Sequence, residues 1–261
     1  MTERMDEIDA VITYIHQNLH EPLSLAQIAA YVGYSPYHFS RMFKARVGLP
    51  PLYYASALRL QKAKDLLLHT NLSVRDIGME IGQQSLGTFT TRFTEKVGVT
   101  PAYFRSLAEK TDRYVRLLQE LSEWEAAVAI RGEDARVEGT VEAEVPFEGG
   151  ILVGLFAKPI PEGLPLYGTL LPSVGSFCFS GVKPGVYYLL ATSVSWGMGP
   201  VDVLLPTSTL RFKMIEPIVV ERHVPVPPLR VTLPKPRLDD PPILISLPVL
   251  MNRFLDRVNK G

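Results

Sequence analysis

The chain has 261 residues, 27 of them basic and 27 acidic, and its hydrophobic content is 46%. This composition is typical of a globular protein with a sizeable core and argues against disorder over most of the chain. The single cysteine, Cys178, excludes an intramolecular disulfide. No apolar stretch approaches membrane-spanning length, and the first residues lack a signal-peptide pattern. We therefore expect a cytoplasmic protein without membrane contact.

The distribution of proline divides the chain into two halves of different character. Five of the 22 prolines lie in the first 139 residues and 17 follow. Residues 1–130 carry apolar residues at three- and four-residue spacing, whereas 137–247 contain short Val-, Leu-, Tyr- and Phe-rich runs broken by Gly and Pro. We predict a multidomain α and β protein: an all-α twin helix-turn-helix domain (1–110), a linker helix (111–131) and an all-β sandwich domain (132–261).

An internal repeat occupies the first half. The segment SLAQIA that begins at Ser24 matches SVRDIG beginning at Ser73, an offset of 49 residues. After one inserted residue the offset becomes 50, and it pairs Phe39 with Phe89, Phe43 with Phe93, and Val47 with Val97. So many matched positions predict two copies of one structural unit.

Each copy has the signals of two helices joined by a tight turn. A serine N-cap and a Gln or Asp at the third helical position begin the first helix, and a glycine able to adopt the left-handed conformation ends it. These positions are Ser24, Gln27 and Gly33 in the first copy and Ser73, Asp76 and Gly82 in the second. Ser35 and Pro36 then begin the next helix as its cap and its first-turn proline. Each copy is predicted to fold as helix, turn, helix.

The second helix of the first copy has one apolar and one polar face. Phe39, Phe43 and Val47 share the apolar face and are predicted core. The polar residues on or near the opposite face are Tyr37, His38, Ser40, Arg41 and Lys44. Arginine can hydrogen-bond a guanine edge, serine and tyrosine can bond bases or phosphates, and lysine favours phosphate. A solvated helix face would have similar residues, but a second copy at fixed spacing favours DNA binding.

The segment between the copies, residues 52–68, has an apolar pattern that predicts a helix. Seventeen residues at 1.5 Å per residue make a rod of about 25 Å. With its flanking pieces, this rod would hold two recognition helices about 34 Å apart, roughly one turn of DNA. A monomer would then be able to bind asymmetric DNA.

Two segments, GYSPYHFSRMFK at 33–44 and VGVTPAYFR at 97–105, resemble the AraC/XylS family of bacterial transcription regulators, and the resemblance extends over about residues 5–108. It implies a seven-helix module that binds double-stranded promoter DNA, activates or represses transcription, and often contacts RNA polymerase. It also implies that Tyr37, Ser40 and Arg41 contact bases.

The second unit departs from the family pattern. The equivalent base-contacting positions are Gly87, Thr90 and Thr91, where the family often has a larger polar residue or an arginine. Arg92 is one position further along, about 100° around the helix, so we expect it to meet backbone phosphate. The full set of expected phosphate contacts is His38, Lys44, Arg92 and Lys96. We expect the first unit to perform most of the base readout.

Between the two halves, apolar residues recur at intervals of three and four and predict a helix over about 103–130. They are Tyr114, Leu117, Leu118, Leu121, Trp124 and Val128. This stripe either packs against the neighbouring domain or forms the seam of a homodimer.

The second half contains a β pattern: GTV at 139–141, ILVGLF at 151–156 and GSFCFSGVKPGVYYLLA at 175–191. This order resembles the prealbumin-like β-sandwich found as a regulatory domain of carboxypeptidases. The turn at Lys183-Pro184-Gly185 would let the following strand pair antiparallel with the preceding one. Further strands are expected at 209–214, 229–233 and 243–247, and a closing helix is expected at 248–259.

The role of the β half is open between two functions. Tyr167, Tyr187, Tyr188 and Trp196 would line a site for a small-molecule effector, or they would pack as ordinary strand residues. In the alternative, the domain docks a partner protein or a second copy and binds no effector. A related alternative is a scaffold whose helices only add DNA affinity.

Catalysis is not indicated. The chain lacks a nucleophile elbow, a Gly-rich phosphate loop and a Cys/His metal cluster. His16 and His20 are four residues apart but have no matching ligands, and Asp239-Asp240, flanked by prolines, predicts a loop. We expect no enzyme, no catalytic residue, no cofactor and no metal.

Overall fold

The computed structural model describes residues 7–83, 85–120 and 135–258. The helices of the first part are α1 (Glu7–Gln17), α2 (Leu25–Tyr31), α3 (Pro36–Val47), α4 (Pro51–His69), α5 (Val74–Glu80), α6 (Leu86–Val97), α7 (Pro101–Ser106) and α8 (Ala108–Glu120). The second part contains β1 (Ala135–Ala143), β2 (Gly149–Phe156), β3 (Tyr167–Leu171), β4 (Gly175–Val182), β5 (Gly185–Ser195), α9 (Pro200–Leu204), β6 (Arg211–Lys213), β7 (Ile218–Val220), β8 (Leu229–Leu233) and α10 (Leu247–Val258).

The two predicted helix-turn-helix units are α2–α3 and α5–α6. The hydroxyl of Ser24 accepts the backbone N–H of Gln27, and the Gln27 side chain accepts the N–H of Ser24 in return. The hydroxyl of Ser73 accepts the N–H of Asp76 in the same way. Gly33 and Gly82 have φ of +75° and +76°, as a left-handed turn requires. The predicted caps and turns are confirmed.

The helical core is built from the repeated aromatic residues. Phe43 packs between Phe39 and Tyr54, with ring centroids 5.7 and 5.5 Å away. Phe93 packs between Phe89 and Phe104, both at 5.7 Å. These aromatic side chains are fully buried. The helix α4 has 19 residues, about 28 Å at 1.5 Å per residue, and it connects the two units.

The helix predicted over 103–130 is interrupted in the structure. α7 ends at Ser106 and α8 begins at Ala108, and between them the N–H of Leu107 bonds the carbonyl of Phe104, three residues back rather than the four of an α-helix. The stripe is split accordingly: Val115 and Leu118 are buried in a cluster with residues of α9 and α10, whereas Leu117 is exposed. The predicted stripe residues Leu121, Trp124 and Val128 lie outside the described residues.

Two sheets cover a common core in the second part. One has the order β4-β1-β8, and the other has the order β3-β2-β5-β6 with β7 also pairing with β5. Their inward residues, among them Val137, Phe177, Leu189 and Val231, form one buried cluster. β1 pairs antiparallel with β4 and parallel with β8.

The structure corrects the predicted pairing across Lys183-Pro184-Gly185. β4 pairs with β1, and β5 pairs with β2, so the turn crosses from one sheet to the other. The crossing is held by two tyrosines: Tyr187 donates to the carbonyl of Lys183 at 2.8 Å, and the N–H of Lys183 donates to the Tyr167 hydroxyl at 3.0 Å.

The elements expected after residue 208 are present in part. The strand expected at 229–233 is β8, that at 209–214 shortens to β6, and the closing helix is α10. Residues 243–247 do not form the expected strand. The all-β expectation also omits α9 and β7.

Candidate nucleic-acid interface

One face of α3 presents polar side chains to solvent, opposite the buried Phe39, Phe43 and Val47. Tyr37 is 73% exposed, and the guanidinium of Arg41 lies over its ring at 5.8 Å from the centroid. The residues His38 and Lys44 are exposed and Ser40 is half-buried. The side chains predicted for DNA contact in the first unit are therefore on one accessible face.

The corresponding face of α6 offers fewer polar groups. Gly87, Thr91 and Arg92 are exposed and Thr90 is half-buried. Gly87 has no side chain to offer a base, and one of these four residues is charged. The second helices of the two helix-turn-helix units therefore present unequal surfaces.

Lys96 lies away from that face, which differs from the predicted phosphate contact. Its ammonium is 2.6 Å from the Glu162 carboxylate and 2.8 Å from the Tyr53 hydroxyl. Lys158 reaches the same carboxylate at 3.3 Å, and Tyr53 donates a short hydrogen bond to it. The ammonium groups of Lys96 and Lys158 therefore share one carboxylate, that of the almost completely buried Glu162.

Helices α3 and α6 both end against the second part of the chain. At the end of α3, a Cβ on Gly48 would lie 3.2 Å from Pro159. At the end of α6, the carbonyl of Val97 accepts the N–H of Ser246 at 3.0 Å, and a Cβ on Gly98 would lie 2.9 Å from Ile245. The β-rich part therefore contacts the C-terminal ends of both α3 and α6.

The segment 239–246, which we call the strap, makes many of these contacts. Its Leu244 is fully buried in the helical core. Its Asp239 carboxylate bonds Arg46 of α3 at 2.9 Å and Arg237 at 3.1 Å, and Lys213 lies 3.8 Å away. Burial opposes ionisation of Asp239, but the nearby cations Lys213, Arg46 and Arg237 outweigh it and lower the pKa of this carboxyl.

Lys64 of α4 is fully buried beneath the strap and donates to the carbonyl of Ile243 at 2.8 Å. Burial lowers the pKa of Lys64 from 10.5 to about 7. Nothing in the local sequence distinguishes Lys64, since a lysine on a helix is usually solvated.

The pKa of Lys64 predicts a pH-dependent stability. The unfolded chain keeps this proton up to about pH 10, so between pH 7 and 9 the unfolded state binds more protons and the free energy of unfolding rises with pH. We expect a rise of about 2 kcal/mol from this group over that range, measured by urea denaturation and circular dichroism.

Lys64→Met should abolish the rise. Lys62→Met, which removes an exposed lysine of the same helix, should retain it. An unchanged slope in Lys64→Met would contradict a buried, titrating ammonium.

The structure does not bring all four aromatic residues predicted to line a ligand site together at one place. Tyr167 and Tyr187 pack edge-to-face at 5.9 Å and bond the Lys183 turn. Tyr188 is half-buried, and Trp196 lies in the separate cluster with α9 and α10. The pair Tyr167–Tyr187 is thus part of the packing between strands.

Two further findings concern metals and membranes. Among the residues that the structure describes, no cluster of three or more His, Cys, Asp or Glu side chains could hold a metal ion. Within the same ranges, no helix combines the length and apolarity needed to span a membrane.

A family model described as a helix-turn-helix domain matches residues 16–106. One relative is the bifunctional transcriptional activator/DNA repair enzyme AdaA of Bacillus subtilis, 35% identical over 107 residues, which are 41% of this chain and 51% of the relative. Another is the uncharacterized HTH-type transcriptional regulator YfiF of the same organism, 39% identical over 94 residues, which are 36% of this chain and 30% of the relative. The chain spans about half or less of the length of these curated relatives.

Solved structures with a similar region include a transcriptional regulator with an AraC-type DNA-binding domain from Chromobacterium violaceum. It is 33% identical, covers 38% of this chain and 89% of its own, and has a TM-score of 0.37. The DNA-binding domain of AdpA, a global transcriptional factor, was solved in complex with a target DNA. It is 26% identical, the match covers 40% of this chain and 95% of the AdpA chain, and the TM-score is 0.38.

The matched residues 16–106 contain both helix-turn-helix units, from α2 through α7. The N-terminal part of this chain is a helix-turn-helix DNA-binding domain. The relatives that it resembles are named as transcription regulators, and the solved regions similar to it include an AraC-type DNA-binding domain.

Proposed function

We propose that this protein is a sequence-specific transcription regulator that inserts α3 and α6 into successive major-groove segments of promoter DNA. The observation that carries the proposal is the face of α3. Tyr37, His38, Arg41 and Lys44 are exposed together, on the side opposite the buried Phe43. An arginine beside hydroxyl, imidazole and ammonium groups matches the chemistry of base edges and phosphates.

The proposed roles of the two helices are unequal. Tyr37, Ser40 and Arg41 read bases, while Thr90 and Thr91 contact thymine methyls or phosphates. His38, Lys44 and Arg92 bind phosphates, and they position the protein without carrying sequence information themselves. RNA polymerase is the proposed partner at the promoter.

The proposed organisation is a DNA-binding domain at 1–110 followed by a prealbumin-like β-sandwich at 132–261. The β-sandwich assignment is supported by two sheets that share one core and by the order of the GSFCF strand, the Pro-Gly turn and the Tyr-rich strand. We propose that this domain tunes DNA binding, because it contacts the ends of both recognition helices.

The test begins with selection of bound duplexes from a random DNA pool with the full chain. Two enriched boxes about one helical turn apart are expected for two recognition helices in successive major-groove segments. A single box would contradict the use of both units, and no enrichment would contradict sequence-specific binding.

Substitution of Arg41 then tests the base readout. Arg41→Ala is expected to weaken binding to the selected site about 10- to 100-fold and to relax the preference at one base position, because a bidentate arginine–guanine contact is worth about 1–3 kcal/mol. Arg92→Ala is expected instead to weaken binding to all sequences alike and to reduce the salt slope by about one. Fluorescence anisotropy with specific and scrambled duplexes measures both.

Arg230→Ala, which removes an exposed arginine of β8, is the matched control and should leave both affinities unchanged. Unaltered specific affinity in Arg41→Ala would refute the assigned role of α3. An equal loss in Arg230→Ala would attribute the effect to total charge.

A further inference from the structure

A cavity of about 490 Å³ lies between the five-stranded sheet and the pair formed by the strap and α10. Its volume falls in the range of small-molecule sites, about 300–1,000 Å³. Leu152 and Leu170 line the sheet side, and Leu250 and Phe254 line the α10 side. Of the four aromatic residues predicted to line a ligand site, Tyr167 lines this cavity and the other three do not.

The mouth of the cavity is apolar as well as its walls. Leu164 and Leu166 both line it and are 39% and 58% exposed. Covering these two leucines would remove apolar surface from water, which favours a ligand with a hydrocarbon body.

The charged groups around the cavity are mostly basic. They are Arg211, Lys213, Arg253 and Arg257, against the single acid Asp240. Lys213 lies 3.6 Å from Asp240 and is thereby balanced. The half-buried Arg211 donates to the carbonyls of Pro206 and Thr207, which carry no charge. The excess of positive charge favours an anion.

Arg253 and Arg257 are one helical turn apart on α10, so they lie on one face of that helix. Both are exposed, and the Arg257 guanidinium stacks over Phe254, which itself lines the cavity. Two guanidinium groups beside an apolar cavity are suited to a carboxylate with an apolar tail.

We infer that this cavity is the effector site of the regulator and that it binds an amphipathic monoanion, with the apolar body between sheet and α10 and the anionic group at Arg253 and Arg257. The inference rests on the proposed function only for its regulatory part.

The strap connects the cavity to the DNA-binding domain. Ile243 and Ile245 line the cavity, while the carbonyl of Ile243 accepts Lys64 of α4 and Ile245 abuts Gly98 at the end of α6. A ligand that shifts these residues changes the support of α6, and the coupling is reciprocal: DNA then changes the affinity for the ligand by the same factor.

The direct test uses the full chain and 1-anilinonaphthalene-8-sulfonate, a fluorescent aromatic monoanion, with dodecanoate as the competitor. We expect a fluorescence increase that dodecanoate reverses. The double variant Arg253→Glu, Arg257→Glu should weaken dodecanoate at least about ten-fold and leave uncharged dodecanol within a factor of two to three. Arg230→Glu is the matched control and should behave as the parent protein.

Leu250→Trp, which fills the cavity, should abolish binding of both dodecanoate and dodecanol. Thermal melts of each variant show whether it is folded. If the double variant is not folded, the Leu250→Trp result decides whether the ligands bind in the cavity. The assignment of the cavity is overturned if dodecanoate does not bind to the parent protein, or if it binds to the double variant with the same affinity as to the parent protein.

For the coupling, saturating dodecanoate should change the dissociation constant for the selected DNA at least about five-fold, and no change overturns it. If Arg41→Ala leaves DNA binding intact while dodecanoate still binds, the proposed function fails and the cavity assignment stands.

Discussion

Replacing Phe93 by alanine is expected to lower the free energy of unfolding by about 3–5 kcal/mol, the usual cost of removing a fully buried aromatic side chain. Phe93 is packed between Phe89 and Phe104, so the cavity left behind has little room to collapse. Phe43→Ala should cost a similar amount, because Phe43 is packed in the same way by Phe39 and Tyr54. Urea denaturation followed by circular dichroism measures both.

Tyr37→Ala is the control, since it removes an aromatic ring of the same domain that is exposed on α3. Its effect on stability should stay within about 0.5 kcal/mol, although its effect on DNA binding should be large. A loss below about 1 kcal/mol in Phe93→Ala would contradict the buried aromatic core.

Asp239→Ala is expected to cost about 2–3 kcal/mol, less than the 3–5 kcal/mol typical when a buried ion pair loses one partner. The reduction arises because Lys213 retains Asp240 at 3.6 Å and Arg46 is about one-third exposed and can be hydrated. The loss should appear as weaker attachment of the strap to α3, measured as faster amide hydrogen exchange at the C-terminal end of α3.

The pH dependence of this effect has a definite sign. The cations around Asp239 hold its pKa below the unfolded value of 3.8. Its ionised form therefore stabilises the fold above that value, and the stabilisation is lost as the pH falls through the lower, folded value. The difference between parent and Asp239→Ala should shrink from pH 7 towards pH 3. Glu142→Ala, which removes an exposed acid of β1, should show no such difference at any pH.

The features predictable from the sequence were those fixed by local chemistry. Serine caps, left-handed glycines and the buried Phe39 and Phe43 follow from residues within one or two helical turns of each other. The polar face of α3 follows from the same periodicity, because burial of one side of a short helix leaves the other side accessible.

What could not be predicted depends on contacts between distant segments. Residues 243–247 have the composition of a strand, yet the N–H groups of Leu244 and Ile245 donate to the carbonyl of Pro161. The carbonyl of Ile243 accepts Lys64. These backbone groups are satisfied by a loop and a side chain from elsewhere in the chain, a possibility that a local pattern does not reveal. The ion pair of Lys96 could not be predicted for the same reason, since its partner Glu162 is 66 residues away.

Helices α3 and α6 both dock on one β-rich body, and this limits the spacings between two DNA boxes that we expect the protein to accept. Because α3 abuts Pro159 and Val97 of α6 accepts a hydrogen bond from Ser246, we expect the two units to keep a fixed relative orientation when they meet DNA. Inserting one base pair between two boxes moves the second box by about 3.4 Å and turns it by about 35° around the duplex axis. Under the proposed function, the helical phase of the operator then becomes as much a recognition element as the bases themselves.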